Sequence, residues 1–443
     1  MSPFTRPVGA RSLAARAAAA SAAAPVLRAG LAEPGARLLL VVPDPHARFA
    51  AVELNAPFAA EVLDDGYGVC SYVFAWTPER EPLPVPEGSS VARYIGGFGD
   101  LPARPDPASA VPLGDRAWAV VGDVAWPSGE PATLAPREIL RGQLAALEEL
   151  GLTPSVGIEH EVVFRDADGE PLTPHGVDYA LGGTERLAPL LADLRSALDG
   201  AGLGVESARA ECHPGQYEIV LRHRDALAAC DDILLQQLIV RRTAAAHHVT
   251  ADYAAAPEPG HGNSGHVHLS LSTTDDSPLD AGISGPLSGF LAGVLRYARA
   301  LTPIWAPTWN SYVRLRTAPF SPRELRWGVD DRTASIRLAG RGAGQRLEFR
   351  FAGADASPHL VVAALLAAGR AGLAEGSTPP PAGQTVGELA TTPWEALAAF
   401  EEDAPKLLGE DVAELIAALL RAEIDAGLDA VTDWQRARAA LRS

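Results

Sequence analysis

Four short segments of this chain read as β-strands that carry all their charge on one face. They are Glu159-His160-Glu161, Glu218–Leu221, His266–Leu271 and Arg346–Phe351. Side chains two apart on a strand share a face. Glu159 therefore points with Glu161, His266 with His268, and Arg346 with Glu348 and Arg350. The opposite faces carry Ile158, Val162 and Phe164, then Val267, Leu269 and Leu271, then Leu347, Phe349 and Phe351. One face is made for a core, and the other is dense in metal-ligand types and arginines. Any one strand alone fits a solvated sheet face or a salt-bridge ladder. Several with the same polarity predict a charged cavity lined by a sheet.

A chain of 443 residues has room for two or three domains, or for one large domain with an appendage. Its 37 basic and 55 acidic residues leave a net charge of −18, which argues against a nucleic-acid partner. The balance suits a protein that gathers its arginines in a site for an anionic ligand. Lys406 is the one lysine in the sequence, which excludes a Walker A loop and Schiff-base chemistry. Any phosphate must be held by arginine, metal or backbone amide. Cys70, Cys212 and Cys230 have no C-x-x-C spacing, so neither a disulfide framework nor a zinc knuckle is expected, and a reducing cytoplasm is. No apolar run reaches the ~20 residues of a membrane span. The Ala- and Arg-rich start predicts an amphipathic helix over Arg11–Arg28 rather than a transit peptide.

Strands are expected at Arg37–Val42, Ala50–Leu54, Val69–Trp76 and Trp118–Val124. Pro82–Pro86 and Gly97–Pro107 read as linker or surface loop. Helices are expected at Pro136–Leu150, Leu187–Gly200, Asp225–Ala246, Gly285–Leu301 and Pro358–Gly372, and from Gly409 onward. Between the charged strands lie unusual turns. Glu211-Cys212-His213-Pro214-Gly215-Gln216-Tyr217-Glu218 sets a carboxylate on either side of Pro-Gly, so both can fold onto one cation. Gly262–His266 is a small-residue loop where backbone can approach a ligand closely. Two further turn motifs, Asn310–Leu315 and Trp327–Arg337, add arginines.

These motifs together resemble the glutamine synthetase family. The carriers are Gly157-Ile158-Glu159-His160-Glu161, the Glu211–Glu218 turn, His266-Val267-His268, Asn310–Leu315, Arg332–Arg337 and Arg346–Arg350, in family order between about Leu39 and Trp434. The resemblance implies an α+β fold with a small β-grasp-like N-terminal domain (residues 1–110, with its helix and linker). A catalytic domain (111–443) would follow, with a curved antiparallel half-barrel sheet backed by helices. It implies ATP and two Mg²⁺ or Mn²⁺ ions. Glu161, Glu211 and Glu218 match ligands of the metal nearer glutamate, and Glu159, His266 and Glu348 those of the metal nearer the nucleotide. His268 matches a phosphate contact, and Arg337 and Arg346 match nucleotide-side arginines. Arg314, Arg332 and Arg350 match arginines that bind glutamate or the phosphoryl group. Asn263 and Gly265 would border the glutamate amino group. Stacked hexameric rings with shared sites are the implied assembly, and small molecules the implied partners.

The family pattern breaks where ammonia is handled. The flap glutamate of ammonia-using members is Phe320 here, and no F-D-G-S-S-like stretch with its aspartate is present. The expected product is a γ-glutamylamide of a polyamine, alkylamine or ethanolamine. Ammonia is the alternative nucleophile, and a non-catalytic regulator on the same fold the alternative role. Val313, Asp331 and His359 replace the family's lysine, asparagine and tyrosine at positions without ligand roles, and no adenylylation-type tyrosine stretch is recognisable.

Overall fold

The computed structural model describes residues 12–442, apart from 276, 278, 280 and 281. A first sheet is formed by β1 (Arg37–Pro43), β2 (Phe49–Asn55), β3 (Tyr67–Cys70), β4 (Asp100–Pro105), β5 (Val111–Pro112) and β6 (Ala117–Val124). Its order is β2-β1-β6-β4-β3, with β1 and β6 parallel and β5 on β6. The sheet extends to Val124.

The second sheet holds β7 (Leu152–Arg165), β8 (Val205–Ala210), β9 (Gln216–Leu221), β10 (Arg224–Asp225), β11 (Thr250–Asp252), β12 (Gly265–Thr273), β13 (Trp327–Val329), β14 (Ile336–Ala339) and β15 (Arg346–Phe349). They run β13-β14-β15-β12-β7-β9-β8, with β10 and β11 also on β7, and the sheet curls into a half-barrel. All pairs are antiparallel except β13 with β14. The 14-residue β7 is the spine, flanked by β12 from Leu152 to His160 and by β9 beyond. Ile158, Val162, Phe164, Val267, Leu269, Leu347 and Phe349 are all buried, as their alternation requires. Helices Ala226–Ala246, Gly285–Tyr297 and Pro358–Ala374 cover this apolar side. One buried cluster runs unbroken from Leu38 and Leu40 of the first sheet to Leu269 and Leu347 of the second.

Three local expectations differ from the structure. Val69–Trp76 is strand only to Cys70, and Ser71–Phe74 turns as a 3₁₀ helix. Gly97–Pro107 contains β4, because Leu101 and Ala103 find core positions that outweigh the prolines around them. Asn310–Leu315 lies in a helix, Trp309–Thr317, whose start is capped reciprocally by Thr308 and Ser311. The N-terminal helix spans Leu13–Leu31, and Arg11 lies outside the described residues. Among the described residues, no helix is long and apolar enough to cross a membrane.

That first helix is fastened by buried charge. Arg16 reaches Asp106 (2.7 Å), Asp231 (3.0 Å) and Asp225 (3.2 Å), while Arg137 reaches Asp106 (2.6 Å) and Asp231 (2.9 Å). His359 adds a 3.0 Å contact to Asp231. Burial alone would raise the Asp231 carboxyl, but the Arg137 and Arg16 guanidiniums and the His359 hydrogen bond hold it far below the carboxylate range. Removing one partner of such a network strands the others in a dry interior. Asp231→Ala is expected to cost about 3–5 kcal/mol, read by chemical denaturation. A loss below ~1 kcal/mol would show the network to be dispensable.

Candidate active site

The concave face of the second sheet brings the charged residues together by strand register. His266 lies opposite Glu159, Glu161 opposite Glu218, His268 opposite Glu348, and Arg209 opposite Glu218. Between β8 and β9 the chain reverses through Pro214-Gly215. Gly215 has φ +64°, a conformation that a side chain would strain, and its N–H donates to Thr173 Oγ1 at 2.6 Å. The reversal brings Glu211 beside Glu218.

Among the described residues three groups of potential ligand atoms result, each gathered within 4.8 Å: Glu161, Glu211 and Glu218; then Glu159, His268 and Glu348; then Asp178, Glu211 and Cys212, which shares Glu211 with the first. The first matches the expected trio. In the second, His268 stands where His266 was expected. His268 Nε2 lies 3.0 Å from Glu159 Oε1, while its Nδ1 accepts from Arg346 Nε at 3.0 Å. His266 Nδ1 is 3.6 Å from Glu348 and 3.9 Å from Glu159, within reach of the same space. Its Nε2 is buried with no hydrogen-bond partner. Burial and then Arg350 and Arg314 push His266 far below its ordinary range, so it is the neutral imidazole that binds metals.

Like charges face each other here. Burial, then Glu161, raises Glu211 to about 7; burial, then Glu159, raises Glu218 to about 8. Glu161 is also raised by burial, against hydrogen bonds from Ser264 N (2.5 Å) and Gln216 Nε2 (3.2 Å). Carboxylates directly opposite on a sheet repel, so the face is suited to a cation. Oxygen-rich donors with an imidazole fit Mg²⁺ or Mn²⁺ better than structural zinc.

A cavity of about 400 Å³ opens over this face, lined by the first carboxylate group, His266, Arg314, Arg332, Arg350 and Phe320 among others. A second, of about 270 Å³, lies on the far side of Glu159, with His268 and Arg346 in its wall. Arg314 is 3% exposed and donates to Phe351 O at 2.8 Å. Burial depresses its guanidinium to about 10. Glu348 is clamped by Arg350 Nη1 and by Arg337 Nη1 (3.1 Å). Phe320 is 63% exposed at the rim, with its ring 6.4 Å from that of His213, which stacks on His261 at 4.1 Å.

Asn263 and Gly265 stand behind the wall, which Gly262 and Ser264 form. Asn263 is fully buried. It donates to Asp252 O and Ala254 O and accepts from Gln216 Nε2 at 2.9 Å, so it shapes the loop. Gly265 lies in β12 and donates to Ala352 O at 2.9 Å. Arg337 is engaged with Glu348 and Asp330, outside the walls of both cavities. Gln216, Asp178, Tyr179 and Arg209 stand in the wall and were not foreseen as site residues. Gln216 ties Glu161 to Asn263, and Asp178 approaches Cys212 from a loop. Arg209 reaches Glu211 at 2.6 Å and Glu218 at 3.2 Å. The Arg209-x-Glu211 alternation signals the last, whereas Asp178 comes from a loop with no periodic pattern.

Glu211 and Glu218 hold their protons more tightly in the folded chain than the ordinary 4.5 of an unfolded one. The folded state therefore binds more protons across that interval, and stability falls as pH rises. In chelator, the melting temperature should drop as pH rises from about 4.5 through about 8. Mn²⁺ should restore it most at the upper end. A chelated melting temperature flat across this window would contradict the crowding of carboxylates.

Comparison with known proteins agrees with this geometry. A profile described as "Glutamine synthetase, catalytic domain" matches residues 133–439. The chain is similar to the γ-glutamylethanolamide synthetase GlnA4 of Streptomyces coelicolor, at 36% identity over 426 residues, 90% of this chain and 92% of that one. It is similar to a glutamate–isopropylamine ligase of a Pseudomonas species, at 32% over 330 residues, 70% of this chain and 71% of the relative. Among solved structures, "GmaS/ADP complex-Conformation 1" superposes with a TM-score of 0.82 at 26% identity, over 94% of this chain and 99% of that one. With the family profile spanning the sheet, both carboxylate groups and the arginines around them, this chain belongs to the glutamine synthetase family.

Proposed function

We propose that the protein is an ATP-dependent ligase that activates the γ-carboxylate of glutamate as an acyl phosphate and joins it to a small organic amine, giving a γ-glutamylamide. Phe320 at the rim carries the choice of acceptor. It puts an apolar ring where ammonia-using members close a flap with an acid, and it faces the ring of His213, which stacks on His261. Burial, then His261, lowers His213 to about 4. The names of the relatives, for ethanolamide and isopropylamide formation, support the same reading.

In this reading Glu161, Glu211 and Glu218 hold the metal nearer glutamate, and Glu159, His266 and Glu348 the metal nearer the nucleotide. The oxygen-rich donor sets support two cation sites. At the second, both His266 and His268 keep a buried Nε2 without a hydrogen-bond partner, with His268 the imidazole gathered nearest Glu159 and Glu348. When bound, the cations neutralise two anions that would otherwise repel, the γ-carboxylate and the γ-phosphate. Arg314, Arg332 and Arg350 bind glutamate and balance charge on the phosphoryl group as it moves. Arg314 and Arg350 are desolvated, so their field on an anion is stronger than at a surface. His268, Arg337 and Arg346 serve the nucleotide side, where His268 links Arg346 to Glu159. Asn263 and Gly265 set the loop that borders the glutamate amino group. Phe320 and the stacked histidines cover the acceptor end, limiting water that would hydrolyse the acyl phosphate. A homo-oligomer, with stacked rings of six, belongs to the same proposal. The exposed Leu428, Val431, Trp434 and Leu441 of the helical tail support it, and light scattering on the purified chain tests it.

ADP release with glutamate and a panel of ethanolamine, isopropylamine, putrescine and ammonia is expected to show a higher kcat/KM for an organic amine. Ammonia ahead of every amine would overturn the acceptor assignment. Phe320→Glu should shift the ratio toward ammonia by about tenfold, as one added charge contact supplies. Arg332→Ala should lower kcat about 10²–10³-fold, the usual loss of one charge-stabilising donor.

A further inference from the structure

Arg209 has no part in the chemistry described so far, yet its guanidinium occupies the carboxylate group itself. It reaches Glu211 Oε1 at 2.6 Å and Glu218 Oε2 at 3.2 Å, two of the three carboxylates of the first ligand group. Strand geometry puts it there, because it lies opposite Glu218 in register and two residues before Glu211, which directly follows the end of β8. A divalent ion on those oxygens and a guanidinium on the same oxygens repel each other. The side chain also has a second seat within reach. Asp178 Oδ1 is 3.8 Å from its Nη1, and its guanidinium carbon stands 4.8 Å from the centre of the Tyr179 ring, a cation–π distance. Asp178 and Tyr179 line the same cavity. Their loop is held close by Gly176, where a Cβ would fall 1.8 Å from Cys212 O. Arg209 stands on β8, the end strand of the sheet, and keeps 28% of its side chain exposed, so it can pivot without disturbing the core.

We propose that Arg209 is a resident cation of the metal site: it competes with the divalent ion for Glu211 and Glu218, and metal entry shifts it from those oxygens toward Asp178, while it keeps the Tyr179 ring it already rests on. The exchange keeps the carboxylates in place while tuning their affinity for metal downward. It also carries a positive charge toward the Asp178 side of the cavity as the site loads. This rests on the reading of the trio as a metal site, and the test separates the two.

Mn²⁺ is titrated calorimetrically into the full-length protein, with the Mn²⁺-induced melting-temperature shift measured in parallel. For Arg209→Gln, the dissociation constant is expected to fall about tenfold, the effect of removing one competing charge-assisted pair. Its melting temperature without added metal should fall below that of wild type, and its Mn²⁺-induced shift should be larger. Asp178→Asn, which removes the second seat, should weaken Mn²⁺ binding in the wild-type background and leave it unchanged in the Arg209→Gln background. Unchanged or weaker binding by Arg209→Gln, with wild type binding normally, overturns the role of Arg209 and leaves the ligase reading standing. Equal effects of Asp178→Asn in both backgrounds overturn the second seat. Wild type that binds no Mn²⁺ overturns the metal-site reading itself.

Discussion

Repulsion between carboxylates on one concave sheet face is the constraint that the rest of this structure serves. Glu161 faces Glu218 across a strand pair, Glu211 folds in beside them, and Glu159 and Glu348 crowd the neighbouring space. Such a face does not form for its own sake, since like charges directly opposite destabilise a sheet. It persists because the other face of the same strands is buried. Ile158, Val162, Val267, Leu269, Leu347 and Phe349 pack under three helices, and a one-residue slip would turn all of them outward.

The charges are also answered locally. Arg350 and Arg337 hold Glu348, Arg346 orients His268, Arg209 sits between Glu211 and Glu218, and Gln216 ties Glu161 to a buried asparagine. Away from the site, a second charged network balances its acids with resident arginines. Asp106 and Asp231 are each shared by Arg16 and Arg137, joining the first helix to the helices behind the catalytic sheet. The contrast is functional. The buried network has its cations built in, whereas the concave face lines its cavity with more carboxylates than arginines, which suits it to ions.

Strand alternation made the site legible from sequence. Glu159, Glu161, His266, His268, Glu218, Glu348 and Arg346 all fall where a period of two puts them, and the Pro-Gly turn delivers Glu211 as its composition implies. Residues outside regular strands were harder to read. Asn263 sits one step behind the cavity wall, because a loop has no fixed side-chain period, and Gly265 at the start of β12 has no side chain to present. The Asn310–Leu315 motif reads as a turn through its polar residues, yet the capping of Thr308 and the burial of Tyr312 and Leu315 make it helical. β4 was hidden because proline and glycine lower strand propensity, and only the pairing partners β3 and β6 reveal its place.

The sequence by itself determined the curved sheet with its charged face, the ligand types it presents and the family to which it belongs, since these depend on local period and on motif order. It also placed the apolar Phe320 where the resemblance expects an acid. Tertiary structure decided which imidazole joins which carboxylates, that Asn263 shapes the site from behind, and that Arg209 and Asp178 enter it. Those outcomes depend on cross-strand register and on the approach of loops far apart in the chain, and neither is written in any local pattern.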